Sequence, residues 1–170
     1  MNLQILKNNL DSVRSFIDNP SKGLPEDVFL FATEITPMVN VDLLVRDENG
    51  RILLSWRKDK FYEEGWHVPG GIIRLKETFE QRIKKVAELE LFCSDILWSE
   101  KPLEIVPIIC HDMVQRGHFI SFVYECRLPK HFKIDNSVSE GEAGFLKWFD
   151  KCPDNILKVH EFYRKYWENV

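Results

Sequence analysis

The sequence is poor in the features that would assign it quickly. Its four cysteines, Cys93, Cys110, Cys126 and Cys152, form no CxxC pair and no zinc-type spacing. Three of them sit in apolar stretches, where a thiol serves as a small core hydrophobe. No apolar run approaches the roughly 20 residues of a membrane helix. The opening MNLQILKNNLDSV turns polar by its eighth residue, so no secretory leader is expected. Basic excess is missing as well: 23 Lys and Arg against 27 Asp and Glu give a net charge of −4. That balance carries no footprint of a duplex DNA or RNA partner, yet leaves room for a local basic pocket that takes one phosphorylated small molecule. There are no repeats and no low-complexity tracts. The expectation is a cytoplasmic protein with no membrane and no nucleic-acid partner. At 170 residues, 44% apolar, the chain is long enough for one domain with a real core.

What is present begins with periodicity. Leu3, Leu6, Leu10, Val13 and Ile17 recur at three- and four-residue steps, which predicts an amphipathic helix over 3–18. DNPSKGLP breaks it, and EDVFLFATE predicts a second, short helix. From Pro37 the pattern changes to strands. MVNVDLLVR and RILLSWR flank DENG, a strand–turn–strand signal with Asn49-Gly50 supplying positive φ. The loop YEEGWHVPGG leads to an extended IIRL and a helix over 78–92. PLEIVPIICHDMV and HFISFVYECRL read as two more strands around a loop at 112–117, FLKWF follows a polar stretch, and NILKVHEFYRKYW predicts a closing helix. The order implies an α+β domain: a mixed sheet with helices on its faces. We expect an N-terminal helical extension over 1–24 and the main domain over 25–170.

The helix over 78–92 carries the first chemical signal. At 100° per residue, Phe79, Ile83, Val86 and Ala87 share one face, with Gln81, Lys84, Lys85 and Glu88 opposite. Glu90 falls in the middle of the apolar side. A carboxylate there needs a partner, because burying an unpaired charge costs far more than one side chain's packing gains. A divalent cation, solvent at the helix end, or a nearby Lys or Arg would each satisfy it. Glu77 is open to a similar choice, since an acid in a first helical turn is favourable by itself. Gly70 and Gly71 are compatible with an ordinary tight turn.

The spacing narrows those choices. Gly71, five residues, Glu77, then Lys85 and Glu90 resemble the Nudix box, and WHVPGG resembles the approach to it. The resemblance implies a Nudix-type α/β/α sandwich around a mixed β-sheet, with box loop and helix holding a divalent cation against a diphosphate. Lys85 stands where the box has arginine. Val86 and Leu89 replace two of its three clustered glutamates, and Phe92 replaces its late glycine. With two carboxylates lost, such a site should hold fewer ions; one hard cation such as Mg²⁺, with Mn²⁺ as the alternative, is the expectation. The GDP-mannose mannosyl hydrolase branch is similar in lacking the same two glutamates. TPMVNVDLLV and LLSWR also resemble its motifs, and the similarity runs from about Glu26 to Phe149.

Roles carried over from that resemblance are specific. Gly70 would offer its carbonyl, and Glu90 its carboxylate, to the metal; Glu142 would add a ligand from a loop. Arg57 would pair with a phosphate oxygen, Asp42 would face nucleotide or sugar, and Arg74 would substitute for the branch arginine replaced here by Ile72. The branch's histidine base corresponds to Ala143, which takes no proton. His111 and His118, on strands flanking the 112–117 loop, or Glu142 are the candidate replacements. His67 is either a ligand contact or incidental. The implied activity is Mg²⁺-dependent hydrolysis of a small-molecule nucleotide, a nucleoside diphosphate linked to another group, with GDP-mannose as the type. The alternatives are a pyrophosphohydrolase of another nucleotide and a Nudix-fold protein that binds a nucleotide sugar without turnover. A homodimer is the assembly the resemblance implies.

Overall fold

The computed structural model describes residues 2–168; Met1, Asn169 and Val170, the outermost ends of the two expected units, lie outside them. Helix α1 (Leu3–Ser15) is capped by the Asn2 side chain, which accepts from the Gln4 N–H, and none of its residues is buried. Helix α2 (Glu26–Ile35) follows. The strands are β1 (Met38–Val45), β2 (Ile52–Arg57), β3 (Gly65–His67), β4 (Gly70–Ile72), β5 (Leu97–Trp98), β6 (Glu104–Ile109), β7 (His118–Arg127) and β8 (Leu146–Phe149), with α3 (Phe79–Glu90) between β4 and β5. No helix among the described residues is long and apolar enough to cross a membrane.

β1 and β2 do not form the hairpin that DENG suggests. β1 lies between antiparallel β4 and parallel β7, with β6 and β5 on the far side of β7, while β2 lies between β3 and β8 in a second sheet. Only Gly50 of the turn has positive φ, at 79°. The Asp47 carboxylate accepts from the N–H groups of Asn49 and Arg51, so Asn49 need not enter the left-handed region. Residues 41–45 of β1 are all buried, as expected for a strand covered on both faces.

The two faces define the layers. On one, Ile83, Val86, Ala87 and Leu91 pack against Val41, Leu43 and Tyr124; each fully buried aliphatic side chain contributes about 1.5–3 kcal/mol. On the other, Leu44 and Val123 meet Ile52, Leu54, Trp66 and Tyr163. The closing segment is a 3₁₀ helix (Lys158–Arg164) running into a short helix, α4 (Lys165–Glu168), rather than the single α-helix expected over 155–167. Leu157, His160, Tyr163 and Tyr166 recur every three residues, so a three-residue turn stacks them toward the core. The architecture is the α+β sandwich around a mixed sheet that the sequence implies.

Helix α3 is held at both ends. Thr78 and Gln81 form a reciprocal capping box, satisfying two otherwise orphaned groups. At the other end, immediately beyond Glu90 and Leu91, Phe92 takes φ 55°, a conformation that favours glycine. Its ring is 64% exposed and packs little. Phe92→Gly should therefore gain about 1 kcal/mol in urea unfolding, with Phe92→Ala gaining nothing; equal effects of the two would show that the left-handed backbone is not the cost.

Candidate active site

A cavity of about 670 Å³ opens where the two sheets, α2, α3 and the 3₁₀ helix converge. The double glycine forms its floor. Neither Gly70 nor Gly71 has positive φ, so this pair is not the tight turn considered above. Both are strand residues crowded by neighbours: a Cβ on Gly70 would stand 2.0 Å from Asp42 Oδ1, and one on Gly71 2.9 Å from Val86 Cγ2. The floor is thus a place where a side chain cannot fit.

Asp42 sits beneath that floor, 1% exposed. Its carboxylate accepts from Asn40 Nδ2 at 2.6 Å, from Tyr163 Oη at 2.5 Å and from the Ser121 hydroxyl. Burial still dominates and raises its pKa from the usual 3.8 to about 6; the Ser121 and Tyr163 hydrogen bonds oppose the rise, as does His67, while Glu90 adds to it. His160, buried at the cavity wall, accepts the Val68 N–H on Nδ1 at 3.1 Å. Burial, with lesser contributions from His67 and Arg57, holds its pKa well below the usual histidine range, so the ring is neutral.

The box wiring departs from its sequence pattern. Lys85, expected at the arginine position, points outward to Glu88 at 3.1 Å. Arg82, one turn earlier and overlooked in the sequence, takes that place: its Nε and Nη2 both donate to Glu77 Oε2, at 2.8 and 2.7 Å. The same oxygen accepts the Arg74 N–H at 2.8 Å. Glu77 therefore fastens the loop to α3, beyond its value as a first-turn acid. This orients Glu90 at the helix end, where its Oε2 lies 3.4 Å from His67 Nε2. The two do not form a hydrogen bond, and Oε2 remains buried without a hydrogen-bond partner.

The cationic residues divide by whether they are already paired. Arg57 lines the cavity with its Nε 2.5 Å from Asp59 Oδ2 and its guanidinium 4.5 Å from the Tyr62 ring centroid. Arg74 and Arg116 also line it, and no carboxylate pairs with either among the described residues. Arg116 is clasped by Phe29, Phe61 and Tyr62, 5.5, 4.7 and 5.6 Å from their ring centroids. Its backbone, at φ 56°, is anchored by the N–H donating to Thr33 Oγ1 at 3.0 Å. Helix α2 thus contributes to the cavity mouth through Phe29 and Thr33.

Three expected residues lie elsewhere. His111 and His118 line a separate depression near Thr36 and Pro37. Strand alternation explains His118: Phe119 and Ser121 turn toward the cavity, so residue 118 faces the other way. Glu142 is exposed, its carboxylate accepting the Ser139 N–H at 2.8 Å; its neighbours Ala143 and Gly144 line the cavity instead. The sequence reading missed Arg82, Arg116, His160 and Tyr163. Only Arg82 left a trace, being the one cation on the buried side of α3.

Among the described residues, the buried side-chain atoms without a hydrogen-bond partner are Trp56 Nε1, Glu90 Oε2 and Arg116 Nε, and all three residues line this cavity. Leaving such a group unmade costs about 1–3 kcal/mol, so their convergence marks a place built for an occupant. The donor set suits a cation only sparingly. Among the described residues no group of three or more His, Cys, Asp or Glu is placed to share an ion. The unpartnered Glu90 oxygen beside Gly70 fits an ion that takes its remaining ligands from substrate phosphates and water, the usual manner of Mg²⁺.

A mixed sheet with a glycine floor, a helix fastened through Glu77 and a helix-end glutamate defines a Nudix-type site. The NUDIX domain model matches residues 36–165, and the chain belongs to the NUDIX family of hydrolases, which generally use divalent metal ions and act on small nucleotide substrates. Low-salt glycan biosynthesis protein Agl8 of Haloferax volcanii is 35% identical over 78 residues, which is 46% of this chain and 49% of that protein. The chain thus spans about half the length of that curated relative. The MutT NUDIX hydrolase from Burkholderia pseudomallei has a similar fold, with TM-score 0.58 and 24% identity over 79% of this chain and 98% of that one. The MutT protein from Methanosarcina mazei Go1 has TM-score 0.58 and 16% identity over 79% and 93%.

The buried carboxylate gives a pH signature. Folded Asp42 titrates near pH 6 against an ordinary 3.8, so its protonated form favours folding; that contribution is complete below about pH 4 and is lost as pH rises through 6. The stability of the wild type minus that of Asp42→Asn should fall by roughly 3 kcal/mol between pH 4 and 7 in urea melts. A difference that stays flat across that window would remove the raised pKa.

Proposed function

We propose that the chain is a divalent-cation-dependent hydrolase of a nucleoside diphosphate linked to another group, a nucleotide sugar such as GDP-mannose. The observation that carries this reading is the convergence of two unmet donors, Trp56 Nε1 and Arg116 Nε, and one unmet carboxylate oxygen on a single cavity. A phosphorylated ligand with its cation supplies acceptors for the former and a counter-charge for the latter. The name of Agl8, a glycan biosynthesis protein, supports a sugar as the linked group.

In this reading Arg57 and Arg74 hold the diphosphate, with Arg57 shared between phosphate and Asp59. Glu90 and the Gly70 carbonyl hold Mg²⁺ or Mn²⁺, which supplies neutralisation of the leaving phosphate charge. Glu142 reaches this ion by rotation of its exposed loop side chain away from Ser139. Asp42 fixes the floor and meets the ligand from below. Residues 1–24 form an extension outside the catalytic domain, although Leu24 already borders the cavity. A cytoplasmic homodimer completes the proposal.

A binding protein without turnover is the second reading, favoured by two particulars. Leu89 is 60% exposed and Val86 is buried in the core, so neither replaces its glutamate with another polar group, and Ala143 places no base at the cavity. Phosphorus NMR separates the possibilities when GDP-mannose and other nucleotide sugars are incubated with the protein and Mg²⁺. The expected product is a nucleoside diphosphate, from attack of water at the sugar carbon. A nucleoside monophosphate plus sugar phosphate would place attack at phosphorus. Binding with no turnover of any substrate would leave the second reading.

A further inference from the structure

We propose that His67 is a metal ligand, paired with Glu90, and that the site consequently prefers a first-row transition ion such as Mn²⁺ over Mg²⁺. The inference rests on the metal-dependent reading above and adds to it a residue that lies outside the box. Strand β3 delivers the ring: Ser55 and His67 are register partners across β2 and β3, and His67 Nδ1 lies 2.9 Å from the Ser55 carbonyl oxygen. A carbonyl only accepts, so Nδ1 carries a hydrogen and Nε2 is the ring nitrogen left to serve as a ligand. Fixing one ring nitrogen on a backbone carbonyl is the arrangement found behind metal-bound histidines.

Nε2 faces the helix-end carboxylate. Nε2 and Glu90 Oε2 are 3.4 Å apart, with the two side chains only 12% and 30% exposed. A charge-assisted hydrogen bond between imidazolium and carboxylate would close to about 2.7–2.9 Å, yet Oε2 has no hydrogen-bond partner. Two ligands at right angles, each about 2.1–2.2 Å from one ion, stand about 3 Å apart. The observed gap matches two ligands awaiting a shared ion better than it matches a finished ion pair. Nitrogen beside oxygen shifts preference from Mg²⁺ toward first-row transition ions. The histidine thereby compensates for the carboxylates lost at Val86 and Leu89, at another place on the ion.

The test uses the full chain with Mn²⁺ and Mg²⁺ as probes. Electron paramagnetic resonance titration should show Mn²⁺ binding at least about tenfold tighter than Mg²⁺ measured by competition, and electron spin-echo modulation should reveal a coupled imidazole nitrogen. His67→Phe should abolish the nitrogen coupling and remove the preference for Mn²⁺, while Glu90→Gln weakens both ions. Bound Mn²⁺ without nitrogen coupling in the wild type overturns the inference and leaves the Glu90 site standing. Absence of any Mn²⁺ binding, with or without GDP, overturns the metal-dependent reading as well. Should His67→Phe fail to fold, the nitrogen coupling of the wild type decides alone.

Discussion

The buried carboxylate of Asp42 is the constraint around which the rest of the site is arranged. It receives hydrogen bonds from β1, β7 and the 3₁₀ helix through Asn40, Ser121 and Tyr163. These three elements are remote in sequence, and a carboxylate with two oxygens can gather donors from all of them at once. Its other consequence is steric. The Gly70 backbone lies so close to Asp42 that no Cβ fits between them, so the network beneath the cavity also fixes the height of its floor.

A second fastening sets direction. Glu77 gathers the Arg74 N–H and two Arg82 donors on one oxygen, joining the loop after β4 to the helix that follows. The side chains of this pair are only 10% and 16% exposed, and a buried pair is retained safely only when its hydrogen-bonding needs are met in this way. Rotation of α3 about its axis would break those bonds and expose Ile83 and Val86 together. Glu90, two turns past Arg82, is therefore oriented by interactions made at the opposite end of the helix. Arg82, on the buried side of α3, makes this fastening in place of Lys85, which faces outward.

The parts of this arrangement that were legible in the sequence are those governed by local periodicity and by one spaced motif. The helix over 78–92 and the position of Glu90 on its inner side follow from a 3.6-residue repeat, and β1, β2, β6 and β7 from short apolar runs bounded by turn residues. Gly70 and Gly71 were visible, but their reason was not: a glycine needed for close approach looks identical in sequence to one needed for a turn. The divergence of β1 and β2 into separate sheets was equally hidden, because a turn signal reports the chain reversal and not the pairing. Arg116 reaches the cavity, and Tyr163 the carboxylate beneath it, only through long-range packing, with α2 in one case and Asp42 in the other. No local pattern marks such residues.

The depleted box leaves the cavity with a nearly balanced set of charges. Arg82 is neutralised by Glu77 and Arg57 by Asp59, so neither adds net charge to the cavity. Arg74 and Arg116 remain against Glu90 and an Asp42 whose pKa near 6 leaves it the weaker anion. The cavity is thus close to neutral or slightly positive before anything enters. A box that keeps all its glutamates is strongly negative and needs several cations before it can accept a diphosphate. With no carboxylate at Val86 or Leu89 the cavity starts near neutral, so a single divalent ion would be enough to offset the charge of a diphosphate. The same substitutions that weaken the resemblance to the family's box therefore lower the number of cations the cavity would need, with Arg74 and Arg116 balancing the carboxylates that remain.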